Sequence, residues 1–356
     1  MACAGEPRRG VVSATSSLYT RTDTNATTVW SPRLQVVGQV DPALRVETSY
    51  ALDAWTGASV DVVTAATRAI HEVRQEVTAG AGYTLGDTVS ASGSYRYSTE
   101  NDYWSHGGVA NLTFDLGQHN TVVDVSTFGN RDRVGRAGDA LFLRRQATLG
   151  ARVSLTQVLD AKMLAQLSFE SVKVSGYQSS PYRFVAIGGA GTCADAAPLC
   201  LPENAPEQRA RAAVVVRARR ALSRNTSLGV SYRFYFDSWG VRSSTLSPEL
   251  TWLTDEHGTL SLSYRYYTQG EADFYRPRYL DPDAGSGFFT RDRELSTLYS
   301  HRVGLSYQHD VPLPQREAAL SFALRAGGTY YRYLAFVGLS HVEALELTAL
   351  CGWSFR

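Results

Sequence analysis

Lysine is nearly missing from this chain. Of its 356 residues only Lys162 and Lys173 are lysine, so arginine carries almost all the positive charge. The net charge is +1, which lacks the basic excess that nucleic-acid binding requires. Long apolar runs are missing too. The longest, such as Ala212–Val216, are about a quarter of the ~18–20 residues that a membrane helix needs. A helical membrane protein is therefore excluded. A membrane β-barrel is not, because alternation dilutes its lipid-facing residues. Charged residues make up 19% and apolar residues 44%, a balance that argues against disorder. The length exceeds one average domain and suits a single large barrel.

Chemical motifs are scarce. The seven histidines are scattered, with no H-E-x-x-H pair and no metal-ligand spacing. No G-x-S-x-G elbow is present. No catalytic residue, metal ligand or cofactor is expected. Four cysteines occur. Cys193 and Cys200 bracket a short stretch in a Gly/Pro-rich segment, and a local disulfide in an oxidising compartment is expected there. Cys351 sits among alternating apolar positions and reads as buried or lipid-facing. Cys3 lies in a stretch, Met1–Glu6, with no charged leader before an apolar core; it reads either as a lipid-anchor cysteine or as an unpaired one in a loose end. The expected organisation is a flexible end over 1–9 and one barrel domain over 10–356.

What is abundant is alternation. In Thr259–Gln269, Leu260, Leu262, Tyr264 and Tyr266 share one face, and Ser261, Ser263 and Arg265 share the other. Thr226–Asp237 repeats the pattern, with Phe234 on the apolar side and Arg233 on the polar side. Sixteen such segments are predicted as strands, near 10–22, 28–40, 44–56, 72–85, 87–99, 104–116, 120–131, 145–158, 162–177, 209–222, 226–239, 243–254, 258–271, 294–310, 316–335 and 339–356. Every second connection is tight, as at Asp41-Pro42 and Leu159-Asp160. Those between them include long ones, about 56–72, 132–144, 178–208 and 272–293. Short turns at one end and long loops at the other mark an outer-membrane barrel, with the short turns in the periplasm. A soluble sandwich would carry shorter strands and a water face rich in Lys and Glu, whereas this polar face is mostly Ser, Thr, Gly and Arg. The expected location is the bacterial outer membrane, with its lipid as the first partner.

Aromatic residues fit that frame. Tyr95, Tyr97, Phe234, Phe236, Tyr264 and Tyr266 fall at the long-loop ends of outward faces, where an interfacial girdle lies. Trp353 and Phe355 alternate at the other end. They resemble the C-terminal aromatic signature read by the barrel assembly machinery, departing from it in the trailing Arg356. On the inward faces, Ser94–Ser98, Ser231–Tyr235 and Ser263–Tyr267 repeat one pattern. It places Arg96, Arg233 and Arg265 in the lumen. These arginines form either an anion-binding ring or half of a set of ion pairs with inward acids such as Glu47, Asp53 and Asp237. Glu100, Asp102 and other loop acids read as solvated charge, with calcium as the alternative. The stretch Val60–Glu76 is the least strand-like and could fold inward as a plug.

Several blocks also resemble a known family. They are Tyr19–Pro32, Asp53–Thr64, Glu100–Tyr103, Tyr232–Trp239 with Ser243-Ser244, and Arg265–Tyr275. Together they are similar to the bacterial outer-membrane family catalogued as domain of unknown function 3570. The resemblance implies location and fold, and no catalytic or binding residue. It also implies company in the envelope, a small lipoprotein or a periplasmic protein. The functional expectation is a porin-like channel for a small polar or anionic solute. The alternatives are a plugged, non-conducting scaffold for an envelope complex and, more remotely, a membrane-embedded hydrolase.

Overall fold

The computed structural model describes residues 12–57, 70–188, 193, 199–281, 287–314 and 317–355. It contains eighteen strands in two sheets. The first nine are β1 (Val12–Asp23), β2 (Thr27–Gln39), β3 (Leu44–Gly57), β4 (Ile70–Leu85), β5 (Val89–Thr99), β6 (Tyr103–Leu116), β7 (Thr121–Val134), β8 (Arg144–Asp160) and β9 (Met163–Gly176). A small hairpin follows, β10 (Phe184–Ile187) and β11 (Leu199–Pro202). Then come β12 (Gln208–Ala221), β13 (Thr226–Asp237), β14 (Arg242–Leu253), β15 (Gly258–Gln269), β16 (Leu298–Leu313), β17 (Ala318–Tyr333) and β18 (His341–Phe355). All but β10 and β11 form one closed antiparallel barrel of sixteen strands, sealed where β1 pairs with β18 from Val12–Phe355 to Asp23–Ala344.

Each of the sixteen segments expected from alternation is a barrel strand. The register keeps their faces in phase. Leu262 lies opposite Leu250 and Leu305, and Arg265 lies opposite Arg302. Leu262, Tyr264, Phe234 and Trp353 are 43, 37, 39 and 50% exposed, on the outer face. A continuous belt of such residues would be an aggregating patch in water and is the expected surface in lipid. Prolines interrupt the ladder locally. The β14–β15 register runs to Leu246–Tyr266 and resumes at Glu249–Ser263, skipping Pro248, which has no N–H to donate.

The structure refines the expectations at three places. β16 starts at Leu298 rather than near 294, because Asp292 caps a 3-10 turn, Arg293–Leu295, by accepting from the Glu294 N–H at 2.9 Å. The stretch 60–76 is a strand from Ile70 onward; its earlier part lies outside the described residues, as do Cys3 and the rest of the N-terminal end. The long 178–208 connection holds a small hairpin, β10 paired with β11. The expected disulfide joins Cys193 to Cys200 there, with Cα atoms 5.7 Å apart. Closing so short a loop restricts the unfolded chain by about 2.5 kcal/mol on the chain-entropy account. Cys351 is a free thiol on the exposed outer face.

Two of the three apolar clusters among the described residues are in the loops at the long-loop end; the third, Leu298, Tyr333 and Val342, is at the ends of β16 to β18 beneath them. Trp239, Val241, Ala272, Tyr275 and Leu295 form one cluster. Val185, Ile187, Tyr279 and Phe289 form a second, and Val185, Ile187 and Tyr275 are fully buried. The 3-10 turn, the β10–β11 hairpin and the segment after β15 thus make a folded cap. Gly240 secures its base: φ is +87°, and a Cβ there would meet the Asp273 carboxylate at 2.2 Å. Gly240→Ala is therefore expected to loosen the cap by about 1–3 kcal/mol while sparing the barrel. Limited proteolysis should cut near 272–293 faster, with the heat-modifiable gel mobility of the folded barrel unchanged.

Candidate functional sites in the lumen and at its mouth

Alternation sends the polar face of every strand inward, so arginines and carboxylates share one lumen and mostly pair. Arg74 binds Asp53, its Nε 2.9 Å from Oδ2. Arg96 reaches Glu76 at 3.2 Å, with Arg33 at 4.0 Å on its other oxygen. Arg45 meets Glu47 at 3.3 Å, Arg219 meets Glu249 at 2.5 Å, and Arg302 meets Glu346 at 2.7 Å. Of the expected lumen residues, Arg96, Glu47 and Asp53 are thus committed to pairs.

Asp237 is committed more completely. Its side chain is fully buried. Oδ2 accepts from Arg209 Nε at 2.9 Å and from the Tyr235 hydroxyl at 2.6 Å, and Oδ1 accepts from the Trp239 and Val241 N–H groups. Arg209 in turn stacks over Trp239 at 4.1 Å. Asp23 plays the same turn-closing role, accepting from the N–H groups of Asn25 and Thr27 at 3.0 Å. These aspartates, in two of the blocks that carry the family resemblance, build turns. Removing one partner of a buried ion pair strands the other. Asp237→Ala is expected to cost about 3–5 kcal/mol, read by urea unfolding of the detergent-solubilised barrel through tryptophan fluorescence, with Asp237→Asn milder.

Among the described residues Arg233 and Arg265 have no carboxylate within salt-bridge distance, as is also true of the inward Arg211, Arg217 and Arg325. Arg233 lies over Tyr235 at 5.2 Å and Arg265 over Tyr267 at 5.7 Å. Beside Pro248 a cavity of about 400 Å³ opens on the wall, lined by Arg217, Arg219, Arg265, Arg302 and serines, with Glu249 as its one carboxylate. Of the two readings of Arg96, Arg233 and Arg265, Arg96 follows the ion-pair one, with Glu76. Arg233 and Arg265 stand two strands apart on β13 and β15, whereas Arg96 stands on β5, across the barrel.

A second cavity, about 450 Å³, lies at the mouth. One side is the barrel rim: Trp55, Glu72, Glu100 and Asp102. The other is the cap: Tyr182, Arg183, Arg293 and Glu294. Arg293 and Glu294 directly precede β16, and β4 lies six strands away around the wall, so the cap reaches across the mouth. Tyr182 donates its hydroxyl to Asp102, which also accepts from the Ala137 N–H at 3.2 Å. Arg183 ties the cap together, bonding Glu203 at 3.1 Å and Asp292 at 3.0 Å. Glu203 also accepts from Thr290 at 2.8 Å. Glu100 and Asp102 were expected as solvated charge. They are instead partly buried, and burial holds both above the ordinary carboxylate range. Burial does the same to Glu203 despite Arg183. Among the described residues no group of three or more His, Cys, Asp or Glu is arranged to hold a metal.

A carboxyl whose pKa is raised on folding contributes stability that is complete below its unfolded value, 4.5 for Glu. That stability is lost as pH rises through the raised value. The cap should therefore be tighter near the acid end than at neutral pH. Hydrogen exchange of 178–188 and 270–281, corrected for intrinsic rates, should show protection falling as pH rises, and Glu100→Gln should flatten the trend. Protection that grows with pH would mean the Arg183 pairings dominate.

Closure, outer apolar belt and short-turn, long-loop asymmetry define the class: a membrane-spanning barrel of the outer-membrane type. More particularly, the chain belongs to the family described as protein of unknown function, DUF3570, whose profile matches residues 139–332. Among solved structures it is similar to a bacterial polysaccharide outer membrane secretin, at 8% identity and TM-score 0.53, covering 98% of this chain and 99% of that one. It is also similar to the CymD monoaromatic hydrocarbon channel, at 10% identity and TM-score 0.44, over 98 and 89% of the two chains. OprD of Pseudomonas aeruginosa gives 10% identity and TM-score 0.46 over 98 and 96%. No curated protein matches the chain.

Proposed function

We propose that the protein resides in the bacterial outer membrane and works as a porin-like conduit for small polar solutes, with a preference for anions. Passage rather than catalysis is its task on this reading. Residence there makes the lipid and the barrel assembly machinery its first partners, and an envelope lipoprotein or periplasmic protein a further one. The observation that carries the reading is the set of inward arginines left without carboxylates, Arg233 and Arg265 with Arg211, Arg217 and Arg325, on a wall where most other inward arginines pair with acids. A wall of sixteen strands encloses more space than its own side chains fill, and charge inside low-dielectric walls focuses its field.

The cap supports a second reading, a covered barrel acting as a scaffold. Its buried clusters are those of a folded unit rather than of a loose loop. Planar-bilayer recording separates the two. The first predicts conductance and, in a salt gradient, a reversal potential on the anion side. Arg233→Ser with Arg265→Ser should move that potential toward cations. Clear cation preference in the wild type would refute the charge argument, and silence under all conditions would favour the scaffold.

A further inference from the structure

The outer face of the barrel is mostly apolar, and its densest basic cluster lies at the long-loop end of β6 to β9. There the register assembles a basic grid. Arg133 on β7 sits directly opposite Arg145 on β8 and, on its other side, opposite Trp104 on β6. Arg131, two residues along, sits opposite His106, whose other neighbour is Tyr97 on β5. Lys173 on β9, one of the two lysines of the chain, sits opposite Leu149. His106, Arg131, Arg133, Arg145 and Lys173 are all exposed. Alternation places them on the same face as Leu149, Val153, Leu155, Leu167 and Phe169, which form the exposed apolar belt beside them.

This grid is unbalanced. By strand parity the outward face of β5 to β9 carries no carboxylate; Asp132, between the two arginines of β7, points the other way and is buried. Like charges directly opposed on neighbouring strands are destabilising, and Arg133 and Arg145 are so opposed without an acid to bridge them. The inward arginines show the contrasting arrangement, since most have a carboxylate within 4.0 Å. Aromatic rings frame the patch, and Tyr95 Oη lies 2.6 Å from His106 Nδ1. Aromatics of this kind mark the depth where acyl chains give way to head groups. A guanidinium fork at that depth fits phosphate oxygens two at a time.

We propose that this patch binds the phosphate groups of a phosphorylated glycolipid in the outer leaflet. The inference rests on the proposed outer-membrane residence, with the long loops outside. The phosphates would stand between Arg131, Arg133 and Arg145 and relieve their mutual repulsion. The acyl chains would lie along the belt of Leu149, Val153 and Phe169.

The test uses the full-length barrel in detergent, with native mass spectrometry counting retained lipid. The probes are bisphosphorylated lipid A and the same lipid after phosphatase treatment. The wild type should retain the bisphosphorylated form about tenfold or more in preference to the other. Arg131→Ser, Arg133→Ser and Arg145→Ser together should abolish the preference. Arg220→Ser with Arg242→Ser, two outward arginines outside the patch, should leave it intact. If the triple serine variant does not fold, judged by heat-modifiable mobility, the triple lysine variant replaces it and should still bind more weakly. Equal retention by wild type and patch variant overturns the proposal. So does equal loss in the control variant, or full displacement by free inorganic phosphate. Cell fractionation reports residence separately. A protein found in the outer membrane yet indifferent to lipid phosphate sinks this inference alone.

Discussion

Inside a bilayer a backbone N–H or C=O has no water to turn to, so a spanning sheet must have no free edge. The β1–β18 seam meets that constraint, and most other features follow from it. Closure fixes an inside and an outside. Period two then sorts each strand between them, because a shift of one residue would put Arg265 in lipid and Leu262 in the lumen. The outer face must be apolar. The inner face collects every polar side chain that the outer face refuses. Two of the buried apolar clusters therefore gather in the cap, and a third, Leu298, Tyr333 and Val342, sits at the rim ends of β16 to β18.

Confinement of charge is the second consequence. Arginines and carboxylates on one enclosed face neutralise one another across neighbouring strands, as Arg74 does with Asp53 and Arg302 with Glu346. Such pairs add little net stability where water reaches them, and they matter chiefly by fixing where charge is cancelled. What remains uncancelled then sets the field. On the inner wall that is the β12–β17 side, with Arg211, Arg217, Arg233, Arg265 and Arg325. On the outer wall it is the grid on β6 to β9.

The barrel was legible in the sequence because its signal is local and repeated. Sixteen alternating segments each vote for the same period, and an error in one leaves the rest standing. Boundaries failed where a side chain overrode the period, as when the Asp292 cap bent Arg293–Leu295 into a 3-10 turn. Inward parity was readable, so Arg233, Arg265, Asp53 and Asp237 fall on the expected face. Their roles were not. That Asp237 closes a turn while Arg233 stays without a carboxylate depends on Arg209, which approaches from the neighbouring strand. The cap was invisible for a plainer reason. Arg183, Glu203 and Asp292 lie 20 and 109 residues from one another along the chain, and no periodicity links them. The Cys193–Cys200 pair was the one local sign of structure in that segment.

The two polar sites stand in series and carry opposite signs. A solute entering at the long-loop end meets Glu72, Glu100 and Asp102 before it reaches the arginine-lined wall. Full ionisation of three clustered carboxyls would repel anions at the entrance and cancel the preference set further in. Burial opposes that outcome by raising Glu100 and Asp102, so part of the negative charge is withheld. On the proposed reading the mouth therefore acts as an electrostatic threshold whose height follows protonation, while the arginines of the wall further in set the sign.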